Sequence, residues 1–236
     1  MSPGRIVKEA KERGIHLIAL TDHNTCDNVV YAQRVGEKMG VKVIPGMELQ
    51  TEEEVHLLAY FESLDAACSF KDRIYPYLPD VKNDPEYFGD QVIVDESEAV
   101  VGFEEKLLIN SLLLSVDECV EMVREHEGLP VPAHVDRDAY GLISQLGFIP
   151  DYLGFEALEV SKHVELEEAV RRWPELSDYA VISSSDAHYP EDIGSAVTLF
   201  LMEELSWEDL LGALKERRVR VLRHSSYFLE MGEDAP

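Results

Sequence analysis

Basic side chains are scarce in this chain of 236 residues, with 21 Lys and Arg against 47 Asp and Glu and a formal charge of −26. A broad basic face that grips duplex DNA or RNA needs clustered Lys and Arg, so duplex nucleic acid is not expected as a partner. Long apolar runs are also missing. No stretch of 18 or more apolar residues occurs, which leaves no helix to span a membrane. The opening "MSPGRIVKEA" is charged and helix-like, unlike the apolar segment of a secretory leader. Cysteine is limited to Cys26, Cys68 and Cys119. Their spacing makes neither a disulfide framework nor a zinc ribbon, and reduced thiols in a cytoplasmic protein are the expectation.

Hydrophobic residues make up 45% of the chain, enough for one sizeable core, so a single domain over 1–236 is expected. Ser2 followed by Pro3 signals a helix start, and "RIVKEAKERG" runs amphipathically until Gly14. "IHLIAL" reads as a strand with "TDHNT" as its exit loop, "DNVVYAQRVGEKMG" as a helix ending at Gly40, and "VKVIPG" as the next strand. Such short connections between strand, helix and strand belong to a parallel sheet covered by helices. The alternation continues through the strand "EVHLLAYF", the helix "LDAACSFKDRIYPYL", a capping box of Ser115 and Glu118 before "VDECVEMVREHEG", and the strands "LPVPAHV", "ALEV", "DYAVISSS" and "SAVTLF". Ser206 caps "WEDLLGALKERR" before the last strand, "VRVL". Seven or more strands, mostly separated by helices, predict an α/β protein built as a closed or nearly closed (β/α) barrel, with a doubly wound open sheet as the second choice. Residues 79–111 break this rhythm. "QVIVDESEAVVGFE" resembles a small hairpin, so an inserted flap is expected there.

His and carboxylate residues gather at the predicted strand ends: Asp22 and His23 after "IAL", Glu48 after "VIPG", His56 within "VHLLAY", His134 after "VPA", and Asp186 with His188 after "VISSS". In a parallel α/β barrel the C-terminal strand ends and their loops form one rim, where side chains distant in sequence converge. Imidazole with a bridging carboxylate suits Zn, Mn or Fe. Of the other histidines, His16 opens a strand at the wrong rim, His126 lies near a helix end, His224 sits in a polar tail, and His163 follows "LEVSK" at a strand exit, where it is a possible substrate contact.

In that order, "IALTDHNT", "VIPGMELQT", "VHLLAYF", "PAHVDR" and "SSSDAH" resemble motifs of the PHP (polymerase and histidinol phosphatase) superfamily of metal-dependent phosphoesterases. The similarity runs from about residue 2 to residue 223. The resemblance implies a distorted seven-stranded (β/α) barrel and up to three divalent ions. It assigns His23 to a third ion and Glu48 to a bridge between two ions. His56 and His134 complete one of those two, and Asp186 and His188 are divided between ions. Asp22 would orient an imidazole, Arg137 would grip a substrate phosphate through its bidentate fork, and Lys162 is a further contact of the same kind. The implied activity is hydrolysis of a small phosphomonoester, a nucleoside bisphosphate or a short oligonucleotide end.

The family pattern opens with a strand ending in His-x-His, and this sequence contains no His-x-His. The expectation is therefore a barrel without its first strand, binding fewer ions than a complete relative. It follows either from a start assigned at an internal methionine or from natural truncation. A metal-poor relative kept as a binding or interaction module, using the flap around Tyr87 and Phe88, is the alternative to an enzyme. An oligomer is compatible with both.

Overall fold

The computed structural model describes residues 1–223, which divide into two compact units, Met1–Pro130 and a second that begins at Val131. In the first, Ser2 caps helix α1 (Pro3–Glu12) by accepting the Arg5 N–H, with proline in the first turn where its missing donor costs nothing. Strand β1 (Leu17–Leu20) pairs in parallel with β2 (Lys42–Gln50), and helix α2 (Val29–Met39) makes the crossover between them. Gly40 ends α2 at φ +71°, a left-handed cap that glycine adopts without a Cβ penalty.

Strand β3 (His56–Tyr60) runs antiparallel to β2, departing from the expected parallel pattern. The reason is the connection, which is too short to hold a crossover helix. Thr51 N–H donates to Val55 O at 2.9 Å and Glu54 N–H to Thr51 O at 3.0 Å, closing a hairpin turn. The register sets Gln50 directly opposite His56 and Glu48 opposite Leu58. Helix α3 (Leu64–Ile74), capped by Ser63, follows.

Residues 79–111, where an inserted flap is expected, contain a single helical turn, α4 (Pro85–Phe88), and the hairpin of β4 (Val92–Val94) with β5 (Val100–Phe103). Asn28 holds this hairpin: its amide donates to Val92 O at 3.3 Å and accepts from Val94 N–H at 3.0 Å. The expected Ser115–Glu118 capping box starts helix α5 (Val116–Glu125). Strand β6 (Leu129–Pro132), whose last two residues open the second unit, completes the sheet order β1-β2-β3-β6.

The second unit contains helix α6 (Leu142–Leu146), strand β7 (Ala157–Glu159), helix α7 (Leu166–Arg172) and strand β8 (Ala180–Ile182), with β7 and β8 paired in parallel. Strand β9 (Ala196–Phe200), helix α8 (Trp207–Lys215) capped by Ser206, and strand β10 (Val219–Arg223) complete it, with β9 and β10 antiparallel. The fold is mixed α/β. Its strands fall into one sheet of four and three pairs, and among the described residues no sheet closes into a seven-stranded ring. No described helix is long and apolar enough to cross a membrane.

Candidate metal centre

In the first unit the β2–β3 hairpin places Glu48 and Gln50 on one face of β2, because alternate residues of a strand share a face. His56, opposite Gln50, is then the diagonal neighbour of Glu48. The loop leaving β1 brings in the third side chain: His23 forms a parallel bridge to Glu48, with Asn24 N–H donating to Glu48 O at 3.0 Å and Glu48 N–H to Asp22 O at 3.1 Å. Asn24 carries φ +52°, a left-handed turn that asparagine tolerates.

The outcome is a compact triad. His56 Nδ1 lies 3.2 Å from Glu48 Oε1, and His23 Nδ1 lies 3.5 Å from Glu48 Oε2. The two rings meet edge to face with centroids 5.3 Å apart. Ligand atoms of all three residues lie within 4.8 Å of one another. Two donors on one tetrahedral cation with bonds near 2.05 Å are separated by about 3.3 Å, so these nitrogen–oxygen spacings fit a shared divalent ion. Each imidazole faces its own carboxylate oxygen, as a bridging carboxylate requires.

His56 is buried, and its Nε2 faces Gln50 Oε1 at 3.3 Å, a contact typical of metal-bound histidine, whose second ring nitrogen usually donates to a carbonyl or carboxylate. Gln50 was not among the residues expected from sequence. Its signal is its place two residues after Glu48 on the same strand face. Asp22 accepts from Asn28 Nδ2 at 3.3 Å, and burial of its carboxylate raises its pKa against the opposing pull of that hydrogen bond and of His23.

In the second unit His134 follows β6 with φ +30° and is buried, its backbone N–H donating to Glu159 Oε1 at 3.4 Å. Glu159, on β7, is itself buried and accepts from Ser184 Oγ at 2.5 Å. This carboxylate was also missed, although a glutamate inside the apolar strand "ALEV" is a signal. Asp186, with φ +42°, ion-pairs with Arg137 Nη1 at 3.0 Å, and His188 Nδ1 lies 3.7 Å from Asp186 Oδ1. Lys162 Nζ is 3.8 Å from Asp192, and the exposed His163 donates its backbone N–H to Ser161 Oγ at 3.2 Å. His126 ends α5 as expected, its Nδ1 2.9 Å from Met122 O, while His224 lies outside the described residues.

Comparison with known proteins follows the same residues. The PHP domain model matches residues 1–136, and a PHP-associated model matches residues 167–219. Over 59 residues the chain is 30% identical to the phosphoribosyl 1,2-cyclic phosphate 1,2-diphosphodiesterase of Eggerthella lenta, covering 23% of this chain and 22% of that one. Among solved structures it resembles a lesion-specific endonuclease of Pyrococcus furiosus, with TM-score 0.67 and 20% identity, over 94% of this chain and 53% of that one. It also resembles endonuclease Q bound to a 27-mer duplex with an abasic lesion at the active site, with TM-score 0.66 and 21% identity, over 90% of this chain and 51% of that one. The chain thus spans about half the length of these endonucleases and a smaller part of the diphosphodiesterase.

The duplex complex corrects one expectation. A protein of this fold engages duplex DNA, so the scarcity of Lys and Arg summed over the chain is no ground for excluding duplex nucleic acid. Contacts to a duplex are local, and bound cations place positive charge where the sum does not. The PHP domain model spans more than half of the sequence and takes in all three side chains of the triad, and the chain belongs to the PHP domain family.

Proposed function

We propose that this chain is a metal-dependent phosphoesterase acting on a small phosphomonoester, a nucleoside bisphosphate or a short oligonucleotide end. The observation that carries the reading is the triad of His23, Glu48 and His56, with one carboxylate oxygen facing each ring. Divalent ions, Zn, Mn or Fe, would polarise a phosphoryl oxygen and lower the pKa of a water that attacks phosphorus. His23, Glu48 and His56 would hold them, and His134, Asp186 and His188 are proposed as further ligands. Arg137 neutralises Asp186 at 3.0 Å. Were Asp186 to hold a cation instead, the guanidinium would be available to grip a phosphate with two parallel hydrogen bonds. Asp22 orients the His23 loop, and Lys162 and His163 are proposed to contact substrate.

The test is a panel of monoesters and diesters with added manganese or zinc, read beside the protein's metal content. Glu48→Gln is expected to lower turnover at least about 100-fold, in line with losses on removing one electrostatic catalytic group, and to lose bound metal. Turnover undetectable with every metal, together with metal content unchanged in Glu48→Gln and His134→Ala, would falsify the proposal.

A further inference from the structure

The return limb of the insertion meets the metal centre at two points. Asn24, next to His23 and buried, donates through Nδ2 to Leu108 O at 2.8 Å and Asn110 O at 3.0 Å. Immediately after Asn110, Ser111 Oγ accepts from Gln50 Nε2 at 2.9 Å, and Leu112 N–H donates to Gln50 O at 2.8 Å. Residues 108–112 therefore brace both the loop that carries His23 and the residue opposite His56.

The Gln50 amide has a chemical consequence. With its NH2 directed to Ser111, the amide turns its oxygen towards His56 Nε2 at 3.3 Å. A carbonyl oxygen only accepts, so this amide orientation favours a proton on Nε2, which in a neutral ring leaves the lone pair on Nδ1. That lone pair faces Glu48 Oε1 at 3.2 Å. Two electron-rich atoms at this distance repel unless positive charge lies between them, a divalent cation or the second proton of an imidazolium. A flipped amide would present NH2 to Nε2, move the proton to Nδ1 and leave it donating to Glu48, so that a cation would have to displace that proton to bind.

We propose that Gln50 is a positioning residue that selects the His56 tautomer with Nδ1 open to a divalent cation, and that the return limb 108–112 holds the Gln50 side chain beside His56 through Ser111. The inference rests on the metal-centre reading above and gives the insertion a part in ion affinity.

The test uses the full chain freed of metal, with zinc as the probe. Long-range proton–nitrogen NMR reports the His56 tautomer, and competition with a chelator reports zinc affinity. The wild-type ring is expected to be protonated at Nε2. Gln50→Leu is expected to weaken zinc binding about 10- to 100-fold, the usual effect of losing a hydrogen-bond partner behind a metal ligand. Gln50→Glu, which offers acceptors only, is expected to restore affinity to near wild type, and Ser111→Ala to fall between the two. Should Gln50→Leu fail to fold, Gln50→Glu and Ser111→Ala carry the comparison. A proton on Nδ1 in the wild type, or zinc affinity unchanged in Ser111→Ala and Gln50→Leu, overturns this inference while leaving the phosphoesterase reading intact. Zinc binding that is absent from the wild type overturns this inference, and absence of manganese and iron binding as well overturns both.

Discussion

Two imidazoles that meet separate oxygens of one carboxylate make Glu48 a spacer as much as a charge, because the separation of its oxygens sets where cations can sit. His23, Glu48 and His56 were legible in the sequence, since each is an ionisable group where an apolar strand begins or ends. Gln50 and Glu159 were not. An amide on a strand looks the same whether it is solvated or turned inward, and a single glutamate acquires meaning only from the donors around it, here His134 N–H and Ser184 Oγ. The cysteines offer a check on burial at this scale. Desolvation pushes the Cys26 and Cys119 thiols well above their ordinary pKa, Cys26 with a further push from Cys68 at 3.9 Å. Thiolate is the reactive form. A disulfide reagent at pH 8 is therefore expected to label the partly exposed Cys68 first and the other two slowly, with mass spectrometry of the early product as the readout; prior labelling of Cys119 would contradict its burial.

Helix boundaries were the most readable elements, because Ser2, Ser115 and Ser206 each accept from a first-turn N–H where the sequence placed them. Strand direction was less readable. The sequence places strands in order but leaves open which edge each one joins, and the short turn after Gln50 overrode the expected parallel pattern. Ser115→Ala is expected to cost about 1 kcal/mol in urea unfolding. Hydrogen bonds from the Ser115 backbone and hydroxyl also hold the Glu118 carboxyl below its ordinary pKa. A carboxyl lowered in the folded state contributes stability above its unfolded pKa and loses it as pH falls through the folded value. The difference between wild type and Ser115→Ala should accordingly shrink on acidification, and a constant difference from pH 7 to pH 3 would refute the box. Gly36 makes a second test. A Cβ there would lie 2.5 Å from Val41 O and 2.9 Å from Val43 Cγ2, so Gly36→Ala is expected to lower stability by about 1–3 kcal/mol, the range for overpacking, measured as a drop in Tm.

For the molecule as a whole, a charge of −26 means self-repulsion, which salt screens within about 8–10 Å at 0.1–0.15 M. With chelator present to remove divalent ions, Tm is expected to rise between low salt and 0.2 M sodium chloride; a fall would show that attractive ion pairs outweigh the repulsion. The contiguity of β2 and β3 has its own result for how the protein comes to be. Glu48, Gln50 and His56 lie within nine consecutive positions of one hairpin, so bringing them together costs only the closure of a very short loop. Of the three side chains that could face a cation, the hairpin alone seats two, and His23 is the one that must travel from elsewhere in the chain.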